Sequence, residues 1–408
     1  MNIDKLVLDE YKRQQETLQL IAAENVTKKD VLQPLSSLIS CKTAEGEVGN
    51  RYHMGCEVVD KIESIAEERL KKLFNSKKVW VQPHSGSTAN QIVIFSLLNK
   101  YIPKTKEARI LSMGLDCGGH LTHGSKYNII GKLFNIRHYC VNRDTYLLDY
   151  DVIRRMAEEF KPHLIICGAS SYPRTIDFKK FGEIAQDNDA YLLSDIAHIF
   201  GLIVGKVHQS PVKHSTFVTS STYKAGGPRG GVIISGDKSE KALREKMTLS
   251  VFPSMQSTPD FSNIASKAKF FKECATKEYM QTQKQIIRNA KILASELMKY
   301  GYSIVTNGTD THMVLVNIKE SRKLTGRQAE HILMSCGINV NRNVIPYDTE
   351  NPMTTSGIRF GTNTITRIGM KEKEVKRIAY LIDDAFNGHI ENKKLEVKEL
   401  MSEFSVLI

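Results

Sequence analysis

A short turn rich in glycine and serine opens an apolar, helix-like segment, SGSTANQIVIFSLL, which begins at Ser85. The backbone N–H groups of Gly86 and Ser87, the hydroxyls and the positive end of the helix would together bind an anion such as phosphate. Ser-Gly-Ser-Thr is also an ordinary helix N-cap, so this segment alone is a weak signal. The chain has no G-x-x-x-x-G-K-[ST] pattern, so a nucleotide-hydrolysing P-loop has no support.

Three further side chains suit chemistry on an amino acid. Lys224, in TSSTYKAGGPRGGVIIS, lies between a β-prone run and a glycine-rich loop, as a Schiff-base lysine requires; an exposed loop lysine is the alternative. Asp195, at the end of AYLLSD, suits the carboxylate that a protonated pyridoxal-phosphate ring nitrogen needs, although a lone aspartate there is more often a helix cap. Arg359, in TTSGIRFGT, is a candidate bidentate clamp for a substrate carboxylate.

Two histidines in the sequence HLTH raise the question of a metal. His120 and His123 are three residues apart, but no third ligand follows at a sensible spacing, so we predict no metal site. Gly118 and Gly119 precede them and indicate a turn that a ligand can approach closely. His120 is therefore a candidate to stack on a flat ring.

The elements that must position these groups are short apolar runs that alternate with helix-like segments. The runs are VWVQP (79–83), HLIICGAS (163–170), AYLLSD (190–195) and FVTSST (217–222). This alternation predicts a mostly parallel sheet covered by helices on both faces. Ligands of such sheets bind at the carboxyl ends of the strands. One shared pocket is therefore expected for the polar groups that follow the runs: Ser85, Ser87, Ser170, Asp195, His198 and Lys224.

The remainder of the chain predicts helices at one end and a smaller α+β unit at the other. An amphipathic helix is expected over 4–20, a strong helix from Val58 to Phe74, and a long charged helix over 258–300. Beyond it, YSIVT, HMVLVNI and GINVN are expected to be strands, and 371–387 to be helical.

Composition narrows the class of protein. The 408 residues hold 41% apolar and 25% charged residues, typical of a globular chain, with a net charge of +12. The charge is dispersed and lacks an aromatic-rich basic motif, so an RNA-binding scaffold is a weak alternative. The seven cysteines form no C-x-x-C pair and predict reduced thiols in a cytoplasmic protein. Neither a signal peptide nor a membrane span is expected.

Taken together, the segments resemble the serine hydroxymethyltransferase family from about Leu20 to Ala385. The resemblance rests on LIAAEN (20–25), AEGEVGNRYHMGCEVVD (44–60), VQPHSGSTAN (81–90), GGHLTHGSKYN (118–128), ASSYPRTIDF (169–178), SDIAHIFGLI (194–203), YKAGGPRGG (223–231), VFPSMQSTP (251–259) and TSGIRFGTNTITRIG (355–369). It implies a pyridoxal-phosphate enzyme of fold type I, with a mostly parallel seven-stranded sheet between helices. The domains expected are an N-terminal arm (1–40), a large cofactor-binding α/β domain (41–275) and a small C-terminal α+β domain (276–408).

The resemblance also implies roles for individual residues. Lys224 would carry the cofactor, Asp195 would pair with its ring nitrogen, and Arg359 would hold the substrate carboxylate. His120 would stack on the ring, and His198 would lie beside a cofactor oxygen. The phosphate would be bound by Ser85, Gly86 and Ser87, with Ser170 nearby.

Other roles would be completed between subunits of a homodimer or a dimer of dimers. Glu45 would be the acid/base group at the hydroxymethyl carbon, reached from the partner subunit, with Tyr52 close by. A tetrahydrofolate pocket would draw on Leu115, Leu121, Phe252 and Asn343.

The chain departs from the family pattern on the substrate side. Ala23 replaces a serine, Thr43 a tyrosine, and His53 the second tyrosine of an R-Y-Y-G-G segment, followed by Met54 where that segment has glycine. Tyr223 replaces the histidine before the lysine, and its usual pKa of about 10 makes it a poor proton shuttle near neutrality. The loop between the lysine and the next arginine is one residue shorter, and Ser257 and Thr258 replace a glycine pair expected near the partner's phosphate.

These features predict an enzyme that makes or breaks the Cα–Cβ bond of an amino acid. The retained Glu45 favours hydroxymethyl transfer to folate. The changes at Thr43, His53 and Tyr223 leave a folate-independent β-hydroxy-amino-acid aldolase or transaldolase as the alternative.

Overall fold

The computed structural model describes residues 2–388 and 390–406. Within them the strands are β1 (Leu18–Gln19), β2 (Gly46–Glu47), β3 (Asn50–Arg51), β4 (Val79–Trp80), β5 (Arg109–Met113), β6 (Asn135–Tyr139), β7 (Leu164–Cys167), β8 (Tyr191–Asp195), β9 (Phe217–Ser221), β10 (Gly231–Ser235), β11 (Ser303–Ile304), β12 (Met313–Asn317), β13 (Ile338–Asn339), β14 (Asn341–Asn343) and β15 (Gly357–Gly361). The helices are α1 (Ile3–Glu16), α2 (Lys29–Leu32), α3 (Glu57–Phe74), α4 (Gly86–Leu98), α5 (Ile129–Leu133), α6 (Tyr150–Phe160), α7 (Phe178–Asp187), α8 (Phe200–Val204), α9 (Lys241–Leu249), α10 (Phe261–Cys274), α11 (Lys277–Lys299), α12 (Ile318–Arg322), α13 (Gly326–Ser335), α14 (Asn363–Arg367), α15 (Glu372–Phe386) and α16 (Ile390–Ser402). None of the helices in this part of the chain is long and apolar enough to span a bilayer.

Seven strands form the central sheet, in the order β4-β10-β9-β8-β7-β5-β6 among the described residues. Strands β9, β8, β7, β5 and β6 are parallel, and β10 runs antiparallel to both of its neighbours. The predicted mostly parallel seven-stranded sheet, with helices on both faces, is confirmed.

The centre of the sheet is buried on both faces, as β7 shows, because that strand is apolar at every position. In β7, Leu164 and Ile166 pack into the core on one face, with α4 and α9, while Ile165 and Cys167 pack into the core on the other, with α3, α6, α7 and α10. A continuous apolar run of this kind is typical of a parallel strand covered on both sides.

A second, antiparallel sheet has the order β11-β12-β15-β14 and packs against α11, α13 and α15. The N-terminal segment joins this unit, since β1 pairs in parallel with β13 and Leu18 and Leu20 belong to its core. The expected division into 1–40, 41–275 and 276–408 stays a prediction.

The expected single helix over 258–300 is wrong, because the chain breaks between α10 and α11. The hydroxyl of Thr276 accepts a hydrogen bond from the backbone N–H of Tyr279, 3.1 Å away, and so caps a new helix. The N-terminal helix is also shorter than expected, because it ends at Glu16 and the next residues pair as β1.

The prediction that all seven cysteines are reduced thiols is also contradicted. Cys117 and Cys140 form a disulfide, with their Cα atoms 5.3 Å apart. The two residues follow β5 and β6, which are adjacent parallel strands, so the fold brings together positions that are 23 residues apart in the chain. Sequence spacing did not reveal this proximity.

A buried lysine holds α10 against the edge of the central sheet where α4 begins. Lys267 is 1% exposed, and its ammonium donates hydrogen bonds to the backbone carbonyls of Val81 (2.7 Å), Pro83 (3.1 Å) and Gly231 (3.0 Å). Burial lowers its pKa to about 7, against the opposing charges of Asp260 and Glu63. The contact fixes the chain just before Ser85.

Replacing this lysine tests the importance of that contact. Lys267→Met keeps most of the volume but removes three hydrogen bonds, and among the described residues only the Pro83 carbonyl keeps another donor, the N–H of Gly231, so the free energy of unfolding should fall by about 3 kcal/mol or more. Urea denaturation measures the change. Lys272→Met, on the exposed side of the same helix, is the matched control and should change stability by less than about 0.5 kcal/mol. A loss below about 1 kcal/mol in Lys267→Met would show that the carbonyls find other partners.

Candidate active site

A cavity of about 170 Å³ opens at the carboxyl ends of the central strands. It brings together most of the cofactor-side residues that the sequence predicts. The predicted residues that line it are Ser85, Gly86, Ser87, His120, Ser170, Asp195, His198, Tyr223 and Lys224, and the others are Asn90, Ala169, Ala197, Ser221 and Arg229.

Asp195 ends β8 and places a carboxylate in the wall of this cavity. Its Oδ2 accepts hydrogen bonds from Asn90 Nδ2 (2.8 Å) and His123 Nε2 (3.0 Å), and its Oδ1 accepts one from the N–H of Ala197 (3.0 Å). Burial by itself would raise the pKa of Asp195, but the hydrogen bond and charge of His123, with contributions from His120 and Asn90, outweigh it. The pKa therefore lies well below its usual range, and the carboxylate is ionised.

Lys224 lies in a 3-10 turn, Tyr223–Ala225, that directly follows β9. Burial lowers the pKa of its ammonium to about 8, aided by the positive charges of Arg359 and Arg229 and opposed by Asp195. Its backbone carbonyl accepts a hydrogen bond from Asn25 Nδ2 at 3.1 Å. A half-buried lysine with a lowered pKa is closer to its nucleophilic, neutral form at physiological pH.

The N-terminus of α4 forms the opposite wall. The hydroxyl of Ser85 caps the helix by accepting from the N–H of Thr88 at 3.0 Å. The hydroxyl of Ser221 faces the same cavity and is buried without a hydrogen-bond partner among the described residues. A Cβ at Gly86 would lie 3.1 Å from the Ser221 side chain, so only glycine leaves this space open. A helix N-terminus beside an unpaired hydroxyl suits a phosphate.

Arg359, in β15 of the second sheet, is not among the residues that line the cavity, but it contacts one of them, Ser170. It is 8% exposed, donates to the carbonyl of Ser170, and donates through Nε to Asn341 Oδ1 at 3.2 Å. Burial lowers its pKa to about 10, so it stays charged. Within residues 2–388 and 390–406 it forms no ion pair, which leaves its charge available to a substrate carboxylate.

Three imidazoles lie at or behind the cavity, and burial lowers the pKa of each. The pKa of His120 falls to about 4, that of His312 to about 3, and that of His198 well below its usual range. Positive charge from Lys224 adds to the effect at all three. His120, His123 and Asp195 also bring three potential ligand atoms within 4.8 Å of one another. His123 already donates a hydrogen bond to Asp195, so in this structure it holds the carboxylate in place.

The remaining predicted residues lie outside the cavity. Glu45, Tyr52, His53, Phe252 and Ser257 form a group that we call the Glu45 cluster. Ser257 donates its hydroxyl to Glu45, His53 Nδ1 accepts from the N–H of Glu45 (3.4 Å), and the rings of Tyr52 and Phe252 are 5.6 Å apart. Within one chain, the structure does not bring this cluster to Lys224.

Five other predicted residues are also absent from the cavity lining. Leu115 and Leu121 are 40% and 46% exposed, and Asn343 in β14 donates its amide to the carbonyl of Val344 (2.7 Å). Thr43 is exposed and Thr258 is half-buried.

Several residues that contribute to the site were not predicted as site residues. Asp195 accepts hydrogen bonds from Asn90 and His123, and the cavity is also lined by Ser221. Arg229 lies over the Tyr223 ring at 4.5 Å, and His312 contacts His198. Asn90 lies one helical turn after Ser87, which is the one signal that pointed towards the cavity. His312 stands at the start of an apolar strand, where spacing gives no indication of its role.

The buried neutral histidines predict a loss of stability in acid. The unfolded chain takes up protons as the pH falls through about 6.5, whereas these folded-state imidazoles stay neutral, so the stability is present above that pH and lost below it. Between about pH 7.5 and about pH 5.5, His312 alone should account for about 1.4 kcal/mol of the lost free energy of unfolding. Urea titrations of the apoprotein should therefore show a shallower pH dependence in His312→Gln. The exposed His331→Gln is the control, and equal slopes in all three proteins would contradict a neutral His312.

Comparison with known proteins agrees with this geometry. The family model described as serine hydroxymethyltransferase matches residues 1–382. A serine hydroxymethyltransferase of Wolbachia pipientis subsp. Culex pipiens (strain wPip) is 48% identical over 391 residues, which cover 96% of this chain and 90% of that protein. Serine hydroxymethyltransferases of Wolbachia sp. subsp. Brugia malayi (strain TRS) and subsp. Drosophila simulans (strain wRi) are each 47% identical, over 393 and 391 residues, with the same coverage.

The resemblance predicted from the sequence is thereby confirmed over almost the whole chain. The parallel sheet and the lysine and aspartate at its carboxyl edge agree with that assignment. The chain belongs to the serine hydroxymethyltransferase family, whose members are pyridoxal-phosphate-dependent enzymes of fold type I that transfer one-carbon units.

Proposed function

We propose that this protein interconverts serine and glycine with pyridoxal phosphate as cofactor and tetrahydrofolate as the one-carbon acceptor. The observation that carries the proposal is a single cavity in which the half-buried Lys224 and the ionised Asp195 lie with the N-terminus of α4. These are the three groups that bind the aldehyde carbon, the ring nitrogen and the phosphate of this cofactor.

The residues present fit the cofactor. The unpaired hydroxyl of Ser221 and the N–H groups of Gly86 and Ser87 would hold the phosphate, with Ser85 and Ser170 beside them. Asp195 would keep the ring nitrogen protonated, and His120 and His198 would contact the ring face and a ring oxygen. When bound, pyridoxal phosphate supplies an electron sink for the carbon that loses a substituent.

The chain's own groups would then bind and orient the amino acid. Arg359 would pair with the substrate carboxylate, and Lys224, with its pKa near 8, would exchange a proton with the amine or the α-carbon. Tyr223 replaces the family's histidine here. Its ring lies under Arg229, which holds the tyrosine against the cavity wall. Because of this contact, we assign Tyr223 a positioning role.

We infer that the active enzyme is a homodimer, or a dimer of dimers, in which the Glu45 cluster completes the cavity of the partner subunit. The cluster lies away from its own Lys224, and large apolar side chains in the same stretch of chain, 38–58, are exposed: Leu38 by 92%, Met54 by 91%, Tyr52 by 76% and Val58 by 66%. A surface of that kind is typical of an interface between subunits. Glu45 would serve as acid/base group at the hydroxymethyl carbon, next to Tyr52, His53 and Thr43.

The same arrangement would form the remaining subsites between subunits. Phe252, from one subunit, would face Leu115 and Leu121 of the other across the folate, with Asn343 as a polar contact. Ser257 and Thr258 would approach the phosphate of the partner's cofactor.

Hydroxymethyl transfer predicts a folate requirement. With pyridoxal phosphate bound, exchange of the α-hydrogen of glycine with solvent should be accelerated at least about tenfold by tetrahydrofolate, because the folate completes the site next to Glu45. Proton NMR in deuterated buffer measures the exchange. Lys224→Ala should reduce it about 100-fold or more, and the exposed Lys238→Ala serves as control. Exchange that is independent of folate, together with no cleavage of serine, would contradict this function.

A site shared between subunits predicts complementation between two inactive variants. After full exchange of chains in an equimolar mixture of Glu45→Ala and Lys224→Ala, half of the dimers are mixed and each has one intact site. About a quarter of the wild-type activity should then return. Mass spectrometry of the intact dimer confirms that exchange has occurred. Absence of activity in the exchanged mixture would show that Glu45 acts within its own chain.

A further inference from the structure

Behind the cavity, His198 is in contact with a second histidine, His312, that is almost completely buried. His198 lies in the turn between β8 and α8, and His312 directly precedes β12, so the pair connects the two sheets. Nδ1 of His198 and Nε2 of His312 are 3.4 Å apart, and the ring planes differ by 13°. The side chain of His312 is 1% exposed, whereas His198 lines the cavity.

The surroundings of His312 determine which of its nitrogens carries the proton. Its Nε2 lies 3.2 Å from the backbone carbonyl of Ala22, and a carbonyl oxygen can only accept a hydrogen bond. Its Nδ1 is buried and has no partner among the described residues. A proton on Nε2 satisfies both the carbonyl and the neighbouring ring, whereas a proton on Nδ1 would leave a donor unpaired and two acceptors facing each other.

The carbonyl of Ala22, which determines the tautomer of His312, is itself held in place. It also accepts a hydrogen bond from Asn363 Nδ2, 3.2 Å away. The segment around it is fixed by backbone hydrogen bonds from the N–H of Leu20 to Asn339 and from the N–H of Gly361 to Leu20. The N-terminal segment therefore supplies a rigid acceptor.

The proton on His312 in turn determines the state of His198. Since Nδ1 of His198 faces an N–H, it must accept, and a neutral imidazole then carries its own proton on Nε2. Protonation of both nitrogens is disfavoured, first because the ring is removed from water and further because Lys224 and Arg359 place positive charge near it, with His312 and His120 beside it. Nε2 has no hydrogen-bond partner within residues 2–388 and 390–406, so its N–H is free to donate to a ligand.

We infer that His312 is a positioning residue that holds His198 in the Nε2–H tautomer, so that His198 presents a hydrogen-bond donor to an anionic oxygen bound in the cavity. The identity of that oxygen, on the cofactor or on the substrate carboxylate, rests on the proposed function. The tautomer itself does not, because every group that determines it belongs to this chain. Without His312, His198 could direct a lone pair at that oxygen and repel it.

The tautomer can be measured on the apoprotein. In protein labelled with ¹⁵N-histidine, the nitrogen–proton correlation of His198, assigned by its disappearance in His198→Gln, should show protonated Nε2 and bare Nδ1. His312→Gln, whose amide can donate from nearly the same position as Nε2, should keep this pattern. His312→Leu should give a mixture of tautomers. A wild-type His198 protonated on Nδ1, or a mixture, would overturn the inference even if His312→Leu fails to fold.

Cofactor affinity provides the second measurement. His312→Leu should weaken binding of pyridoxal phosphate about tenfold, and His312→Gln less than about threefold, as followed by absorption of the bound cofactor. Equal losses in both variants would show that His312 serves packing alone. If the wild type has the inferred tautomer but binds no pyridoxal phosphate, the proposed function fails while the assignment of His312 stands.

Discussion

An ionised carboxylate at the end of a buried strand is the constraint on which the site depends. A charge away from water is stable only where hydrogen bonds and opposite charge replace the solvent. Asp195 obtains them from His123 and Asn90, and the amide oxygen of Asn90 accepts in turn from the hydroxyl of Thr219. These partners come from the turn after β5, from α4 and from β9. Three elements must therefore meet at the end of β8 to stabilise the charge of Asp195. The cavity lies between them.

The two sheets contribute different residues to the site. The central sheet supplies the groups suited to the cofactor, while Arg359 and His312 come from the second sheet. The turn that carries Lys224 is held from the same side, because its carbonyl accepts hydrogen bonds from Asn25 and Asn363. Asn25 belongs to the N-terminal segment, which pairs with the second unit through β1. The lysine is thus positioned by parts of the chain that are far apart in sequence.

Residues that depart from the family pattern have found local partners. Tyr223 lies under Arg229, His53 accepts from the backbone of Glu45, and Ser257 donates to the carboxylate of Glu45. A polar or aromatic group introduced beside a charged one is tolerated when such contacts form. These three changes are therefore accommodated by their surroundings, while the pKa shifts of Lys224 and Asp195 and the charge of Arg359, unpaired among the described residues, remain suited to their proposed roles. This pattern supports hydroxymethyl transfer and gives no support to a different reaction.

The sequence by itself determined the class of fold and most of the residues that line the cavity. Apolar runs that end in polar residues predict parallel strands whose carboxyl ends meet, and the cavity contains Ser85, Ser170, Asp195 and Lys224 as expected. Such predictions succeed because strand burial and strand direction are local properties of the chain. The break before Thr276 was missed because a single capping hydroxyl competes with an otherwise continuous helical pattern.

Only the tertiary structure decided the contacts between distant segments. Cys117 and Cys140 meet because β5 and β6 are neighbours, and His312 meets His198 where the residue before β12 approaches the turn between β8 and α8. The protonation of those histidines depends on a carbonyl, that of Ala22, which lies 290 residues before His312. The spacing of residues along the sequence does not reveal that Ala22 and His312 are in contact. The protonation of the two histidines follows from the tertiary contacts that His312 makes with the N-terminal segment and with the turn after β8, which is why the sequence identified the reactive groups and the fold assigned their states.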